Sequence, residues 1–110
     1  MDFNEYQTEA EKTINKAMSN NDIIINAALG LAGETGEVVD IIKKWQGQGH
    51  TLDEKKVINE LGDILWYISE MCSAMMVPLS EVAEGNINKL RIRYGEKFDS
   101  NKSINRTDNM

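Results

Sequence analysis

Apolar residues recur at helical spacing along most of this chain, and no stretch alternates as a strand would. In residues 23–45, Ile25, Ala28, Leu29, Ala32 and Val39 share one side of a 3.6-residue wheel, and Gly47 and Gly49 end the pattern. Upstream, Tyr6, Ala10, Ile14 and Ala17 keep the same spacing and predict a first helix over residues 2–19, stopped by Ser19, Asn20, Asn21 and Asp22. Downstream, Thr51 and Glu54 have the spacing of a capping box, which starts a third helix. That helix runs through Val57, Leu61, Ile64, Leu65, Ile68 and Cys72 to about Met76, where Pro78 forces a break. Ser80 can cap a fourth helix, carrying Val82, Ile87 and Leu90 and ending near Gly95. Four helices with short loops predict an all-α fold, an antiparallel four-helix bundle. It forms one domain over residues 1–98, and the polar, aperiodic residues 99–110 are expected to be a mobile tail.

A domain of 110 residues has a modest core, burying about two thirds of the surface its unfolded chain exposes. Apolar residues nevertheless cover much of each helix, more than one such chain can hide, so a homodimer or homotetramer is expected. There is no apolar run of membrane-spanning length, and the first residues lack a basic start and apolar stretch, so the expected location is cytoplasmic, with no membrane partner. Cys72, the one cysteine, lies in an apolar stretch and reads as a buried structural thiol. A net charge of −6 argues against nucleic acid as a partner, because phosphate binding needs clustered Lys and Arg. A small anionic substrate would need a bridging cation.

Acidic residues three apart occur six times, at 2/5, 34/37, 37/40, 60/63, 81/84 and 96/99, so spacing alone selects nothing. Their surroundings do. The pairs at 2/5, 81/84 and 96/99 lie near helix ends, where acids are solvated or complement the dipole of a helix start. Glu34 and Glu37 share their sector with Ala27, Gly30, Leu31, Val38 and Ile41, and Glu60 and Asp63 sit among Val57, Ile64, Tyr67 and Met71. Four carboxylates converging beside apolar surface repel unless protonated or bound to a cation. All-oxygen ligation suits Mg²⁺ or Mn²⁺. Zinc would favour His or Cys, and the lone His50 lies in the loop 47–51. A di-iron bundle would carry Glu-x-x-His motifs, and none is present. Gly30, Gly33, Gly36 and Gly62 fall inside helices, where each costs about 1 kcal/mol relative to alanine. Close helix approach around the acids would explain them.

The segment Gly33-Glu34-Thr35-Gly36-Glu37, followed after 22 residues by Glu60-Leu61-Gly62-Asp63, resembles the E-x-x-E … E-x-x-D signature of MazG-like nucleoside triphosphate pyrophosphohydrolases. The likeness extends through Leu29-Gly30-Leu31-Ala32, Ile64-Leu65-Trp66-Tyr67 and the segment from Asn86 to Tyr94, covering about residues 24–98. It departs at Gly95 and Glu96, where many relatives have proline. The resemblance implies the all-α pyrophosphatase fold and cleavage of a nucleoside triphosphate between its α- and β-phosphates. It further implies Mg²⁺ on Glu34, Glu37, Glu60 and Asp63, with Glu34 or Glu37 activating water. Asn86, Lys89 and Arg93, on one face of the fourth helix, can hydrogen-bond sugar and phosphate oxygens. Lys44 is a minor candidate for phosphate, its place at a helix C-terminus being sufficient reason for its charge. Trp45, beside the glycine loop, is a candidate for base stacking, whereas Trp66 and Tyr67 read as core.

A non-catalytic nucleotide-sensing module of the same fold is the competing reading, and a scaffold bundle without ligand is a third. Turnover separates the first two. The base, the sugar and the biological role are not written in these residues.

Overall fold

Helix α1 (Phe3–Glu11) begins where the Asp2 carboxylate accepts the Glu5 amide at 2.8 Å and the Glu5 carboxylate accepts the Asp2 amide at 3.2 Å. This reciprocal cap satisfies two donors that a helix start leaves open. A computed structural model of the chain describes residues 1–95 together with Asn101 and Ile104, so the expected tail otherwise lies outside the described residues. The spacing predicts helix to residue 19, but α1 stops at Glu11. Thr13 donates its hydroxyl to the Ala10 carbonyl at 2.7 Å, and Asn15 Oδ1 accepts the Ala17 amide at 3.1 Å. Short polar side chains of this kind offer the backbone an alternative to the helical ladder. The turns that follow place Thr13 Oγ1 at the Trp66 indole, which donates to it at 2.8 Å.

Helix α2 (Asn20–Gly47) starts earlier than the apolar pattern suggests because Ser19, expected as part of a stop, is its cap, accepting the Asp22 amide at 3.2 Å. At its other end the Gln48 and His50 amides both reach the Lys44 carbonyl, and Gly49 takes the left-handed φ of 72° that this turn requires. Helix α3 (Glu54–Ala74) is capped by Asp53, which accepts the Lys56 amide at 3.1 Å. The Thr51–Glu54 capping box therefore does not form. Thr51 lies outside the turn that Asp53 closes.

Helix α3 ends with the Val77 amide on the Cys72 carbonyl at 2.9 Å and the Met76 amide on Ser73 at 3.1 Å. This double closure places Met76 at φ 59°, in the position glycine usually fills. Met76 is 87% exposed and packs on little. Met76→Gly is therefore expected to stabilise the protein by about 1 kcal/mol, the left-handed cost of a side chain, read as a higher urea midpoint at unchanged slope.

Gln7 ties α1 to this turn. Its amide donates to Ser73 Oγ at 3.2 Å and to the Val77 carbonyl at 3.0 Å, and its Oε1 accepts the Leu79 amide at 2.7 Å. Leu79, the last residue of the compact unit Met1–Leu79, opens helix α4 (Leu79–Tyr94), and its amide is the one that Gln7 satisfies. Gly95, at φ 73°, closes α4 as expected, donating to the Arg91 carbonyl at 2.8 Å.

All four helices of the all-α reading are present, and no strand occurs among the described residues. The chain divides into two compact units, Met1–Leu79 and Ser80–Met110, so that Leu79 closes the first and the rest of α4 belongs to the second. In the first unit α1 packs on α3, and α2 runs antiparallel to α3. The direction is fixed by a series of pairs: Asn20 reaches the Ala74 carbonyl, Asn26 reaches Glu70, Gly30 faces Tyr67, and Glu34 faces Glu60 and Asp63. Ile23, Ala27 and Ile41 are the buried residues of α2. The opposite side of α2 turns outward, with Ile25, Leu29 and Val39 at 55%, 69% and 60% exposure. The apolar stripe that marked this helix in the sequence is thus left uncovered in the single chain.

Candidate metal centre

Antiparallel pairing of α2 with α3 sets one turn of each helix face to face around Glu34, Glu60 and Asp63. Each of these offers a carboxylate oxygen, and the three oxygens lie within 4.8 Å of one another. Glu34 and Glu60 are half-buried and Asp63 is exposed, so the cluster has an interior floor and an open side. Glu60 Oε2 is buried and has no hydrogen-bond partner. A buried carboxylate oxygen without a donor is costly, and a proton or a cation is what would relieve it. The described ion pairs, Lys12–Glu9 and Lys44–Asp40, lie elsewhere.

The electrostatics agree with that geometry. The Glu34 carboxyl is pushed up from its ordinary 4.5 to about 7. The largest cause is a hydrogen bond with Glu60 that the protonated acid can make; partial burial and the charges of Glu60, Asp63 and Glu37 follow. Near neutral pH the metal-free cluster therefore tends to hold a proton where a divalent cation would serve all three carboxylates. The chemistry of the donor set, oxygen only and anionic, fits Mg²⁺ or Mn²⁺.

Glu37 is exposed and lies outside the group of three, although its charge reaches Glu34. Lys44 is paired with Asp40 at 2.9 Å, one turn back on α2, which raises the lysine and lowers the aspartate. Trp45 is 41% exposed near the end of α2. Asn86, Lys89 and Arg93 lie on α4, in the second unit, with Asn86 exposed and the other two half-buried. The Arg93 guanidinium stands 5.9 Å from the Tyr94 ring centroid.

Of the four glycines expected inside helices around the acids, Gly30 alone marks a close approach among the described residues. A Cβ on Gly30 would overlap the Tyr67 ring, whereas one on Gly33, Gly36 or Gly62 would meet nothing within 4 Å. The expectation that the glycines beside the ligands let the helices close up is thus corrected: Gly30, one turn before Glu34, does so. The ring it admits meets Trp66 edge-on at 5.1 Å.

Tyr6 is the residue near the cluster that the sequence conceals. Its hydroxyl is raised by burial and then by the negative charge of Asp63, which places it in the field of the acids. In the sequence it is one apolar position of α1, and only the packing of α1 on α3 discloses it. Cys72 is buried and its thiol is raised by that burial, as befits an inert structural residue. No described helix is long and apolar enough to cross a membrane.

Comparison with known proteins bears on this arrangement directly. The model of the MazG nucleotide pyrophosphohydrolase domain matches residues 25–98, which contain all four motif acids. The Gene 37 protein of Mycobacterium phage L5 is similar at 36% identity over 69 residues, covering 59% of this chain and 60% of that protein. The match thus spans about three fifths of the relative's length. No solved structure matches the chain.

Proposed function

The chain belongs to the MazG nucleotide pyrophosphohydrolase family, and from that premise we propose that it hydrolyses nucleoside or deoxynucleoside triphosphates between the α- and β-phosphates, giving the monophosphate and pyrophosphate. The observation that carries the proposal is the convergence of Glu34, Glu60 and Asp63, one of whose oxygens, Glu60 Oε2, is buried with no donor. We propose that these three hold Mg²⁺, with Mn²⁺ as a substitute. Held there, such an ion would offset part of the triphosphate's charge and polarise its phosphoryl oxygens.

Glu37, exposed one turn along α2 and outside the three, is left free to orient the attacking water and take its proton. Attack at the α-phosphorus opposite the pyrophosphate leaving group requires that water to be held in line. Asn86, Lys89 and Arg93 are proposed to contact sugar and phosphate oxygens, Trp45 to stack on the base, and Lys44 to be a lesser phosphate contact. These assignments rest on the resemblance of their segments to the family.

The test is direct. Incubation with each NTP and dNTP and Mg²⁺ should yield monophosphate and pyrophosphate in equal amounts for at least one nucleotide. If none is turned over while nucleotide still binds, the enzyme reading fails and the sensing module takes its place. Glu37→Gln should lose turnover while keeping Mn²⁺ affinity. A matching loss of both would instead make Glu37 a fourth ligand.

We also propose that a second copy covers the outward stripe of Ile25, Leu29 and Val39, in a homodimer or homotetramer. Leu29→Glu, at a position 69% exposed in the single chain, is expected to lower the mass measured by light scattering while leaving the circular dichroism unchanged. An unchanged mass would remove this stripe from the interface.

A further inference from the structure

Glu70 is the one buried acid among the described residues, at 3% exposure. Its sole hydrogen-bond partner there is Asn26, whose amide donates to both carboxylate oxygens, at 3.2 and 3.3 Å. Removing a carboxylate from water for one neutral partner is a poor exchange for stability alone. Its position gives it another meaning. Glu70 lies seven residues, two helical turns, beyond Asp63 on α3, and Asn26 lies eight residues before Glu34 on α2. Seven residues return to within about 20° of the same face and eight to within about 80°, so both lie along one broad helix stripe. Between the two levels, the Tyr67 ring lies against Gly30.

The contact line between α2 and α3 therefore has an attractive polar contact at one level, a ring on a glycine at the next, and mutually repelling carboxylates at the third. Apolar contacts in such a line permit sliding, and slippage by one turn would displace Glu34 by about 5.4 Å from its partners. A hydrogen bond between fixed positions opposes it, and a polar contact at a helix interface is known to set register; here the acceptor Glu70 is buried and its donor Asn26 lies at the exposed edge of the contact.

We propose that Asn26 and Glu70 form a register clamp, positioning residues that hold Glu34 opposite Glu60 and Asp63 for cation binding. The clamp rests on the reading of those three as a metal centre. In the sequence Glu70 stands alone in an apolar helix, forming none of the six acidic pairs, and nothing in the mechanism proposed above uses it.

The test separates register from stability by titrating Mn²⁺ alone into the full chain, followed calorimetrically. In the double variant N26L/E70L two leucines replace the polar pair, so the helices keep an apolar contact and the protein is expected to melt at or above the wild-type temperature. Its Mn²⁺ affinity should nevertheless fall by roughly tenfold or more, the size of effect that support residues behind metal ligands produce. E70Q keeps an acceptor for the Asn26 amide and should bind Mn²⁺ like the wild type. Wild-type affinity in a folded N26L/E70L would overturn the clamp, and so would a loss in E70Q as large as that in the double variant. If the double variant does not fold, N26A and E70Q on the intact chain carry the same comparison, with loss expected in N26A only and equal affinities overturning the clamp. A wild type that binds no Mn²⁺ would overturn the metal reading and the clamp together, whereas binding that is equal across the variants overturns the clamp alone.

Discussion

Glu60→Gln is expected to abolish most turnover and, at the same time, to stabilise the metal-free protein. The two effects have one cause. Glu60 supplies the oxygen that is buried without a donor, and it is the largest influence on Glu34, which it helps hold at about 7. Glutamine keeps the shape but loses a negative ligand. A bound cation contributes several kcal/mol to the transition state of phosphoryl transfer, so losing it should cost on the order of 10²–10³-fold in kcat/KM. Without metal, the same change removes a repulsion and gives Glu34 an amide donor.

The pH dependence follows with a definite sign. A carboxyl whose pKa is raised on folding contributes stability that is fully present below its unfolded value and is lost as pH rises through its folded value. For Glu34 that window runs from its ordinary 4.5 to about 7. In EDTA the wild type should therefore lose stability between pH 5 and pH 8, and Glu60→Gln should flatten that slope. Adding Mg²⁺ should reverse the trend for the wild type, because protons and cation compete for the same oxygens and binding stabilises by mass action. Thermal melts at the two pH values, with and without Mg²⁺, check all three statements. Full activity in Glu60→Gln would remove Glu60 from the metal centre, and lower stability than wild type in EDTA at pH 8 would make it a structural residue instead.

How far the sequence discloses this arrangement depends on the range of the interaction concerned. The helices are legible because their causes are local: apolar period, Pro78, and glycine at the ends of α2 and α4. Caps are less so, since Thr51 and Asp53 both have capping chemistry and the path of the incoming chain chooses Asp53. Ser19 likewise reads as an ending or a beginning until the path between α1 and α2 is known. The acidic motifs lie on turns that the fold brings face to face, but they cannot say which acid of a pair points across. At the same spacing of three, Glu60 and Asp63 both enter the group with Glu34, whereas Glu37 lies outside it.

Longer-range features leave no local trace. Gln7, Asn26 and Tyr6 are ordinary letters in amphipathic helices, and the partners of the first two are 66 to 72 and 44 residues away. The apolar wheel of α2 poses a different ambiguity. Periodicity shows that Ile25, Leu29 and Val39 share a side, yet burial against one's own chain and burial against a second copy select the same residues. The single chain uses the other side, around Ile23, Ala27 and Ile41, which includes the small residue at position 30.

That small residue should respond to mutation with the opposite sign from its neighbours. In an exposed helix interior, glycine to alanine is favourable by up to about 1 kcal/mol, and Gly33, where an added Cβ meets nothing within 4 Å, should show that gain. Gly30→Ala would bring its methyl into overlap with the Tyr67 ring, so the ring must leave its position or the helices must part. Overpacking of this kind costs about 1–3 kcal/mol, which outweighs the helix-propensity gain. Denaturant midpoints should therefore fall for Gly30→Ala and rise for Gly33→Ala. Because the Tyr67 ring lies between the Asn26–Glu70 contact and the three acids, Gly30→Ala should also weaken Mn²⁺ binding, which Gly33→Ala leaves alone. Combining Gly30→Ala with Tyr67→Ala vacates the space and should recover less than the full loss, since the ring's own packing is gone. If Gly30→Ala proves as stable as Gly33→Ala, Tyr67 does not rest on Gly30 in solution, and the contact line that aligns the acids must be drawn elsewhere.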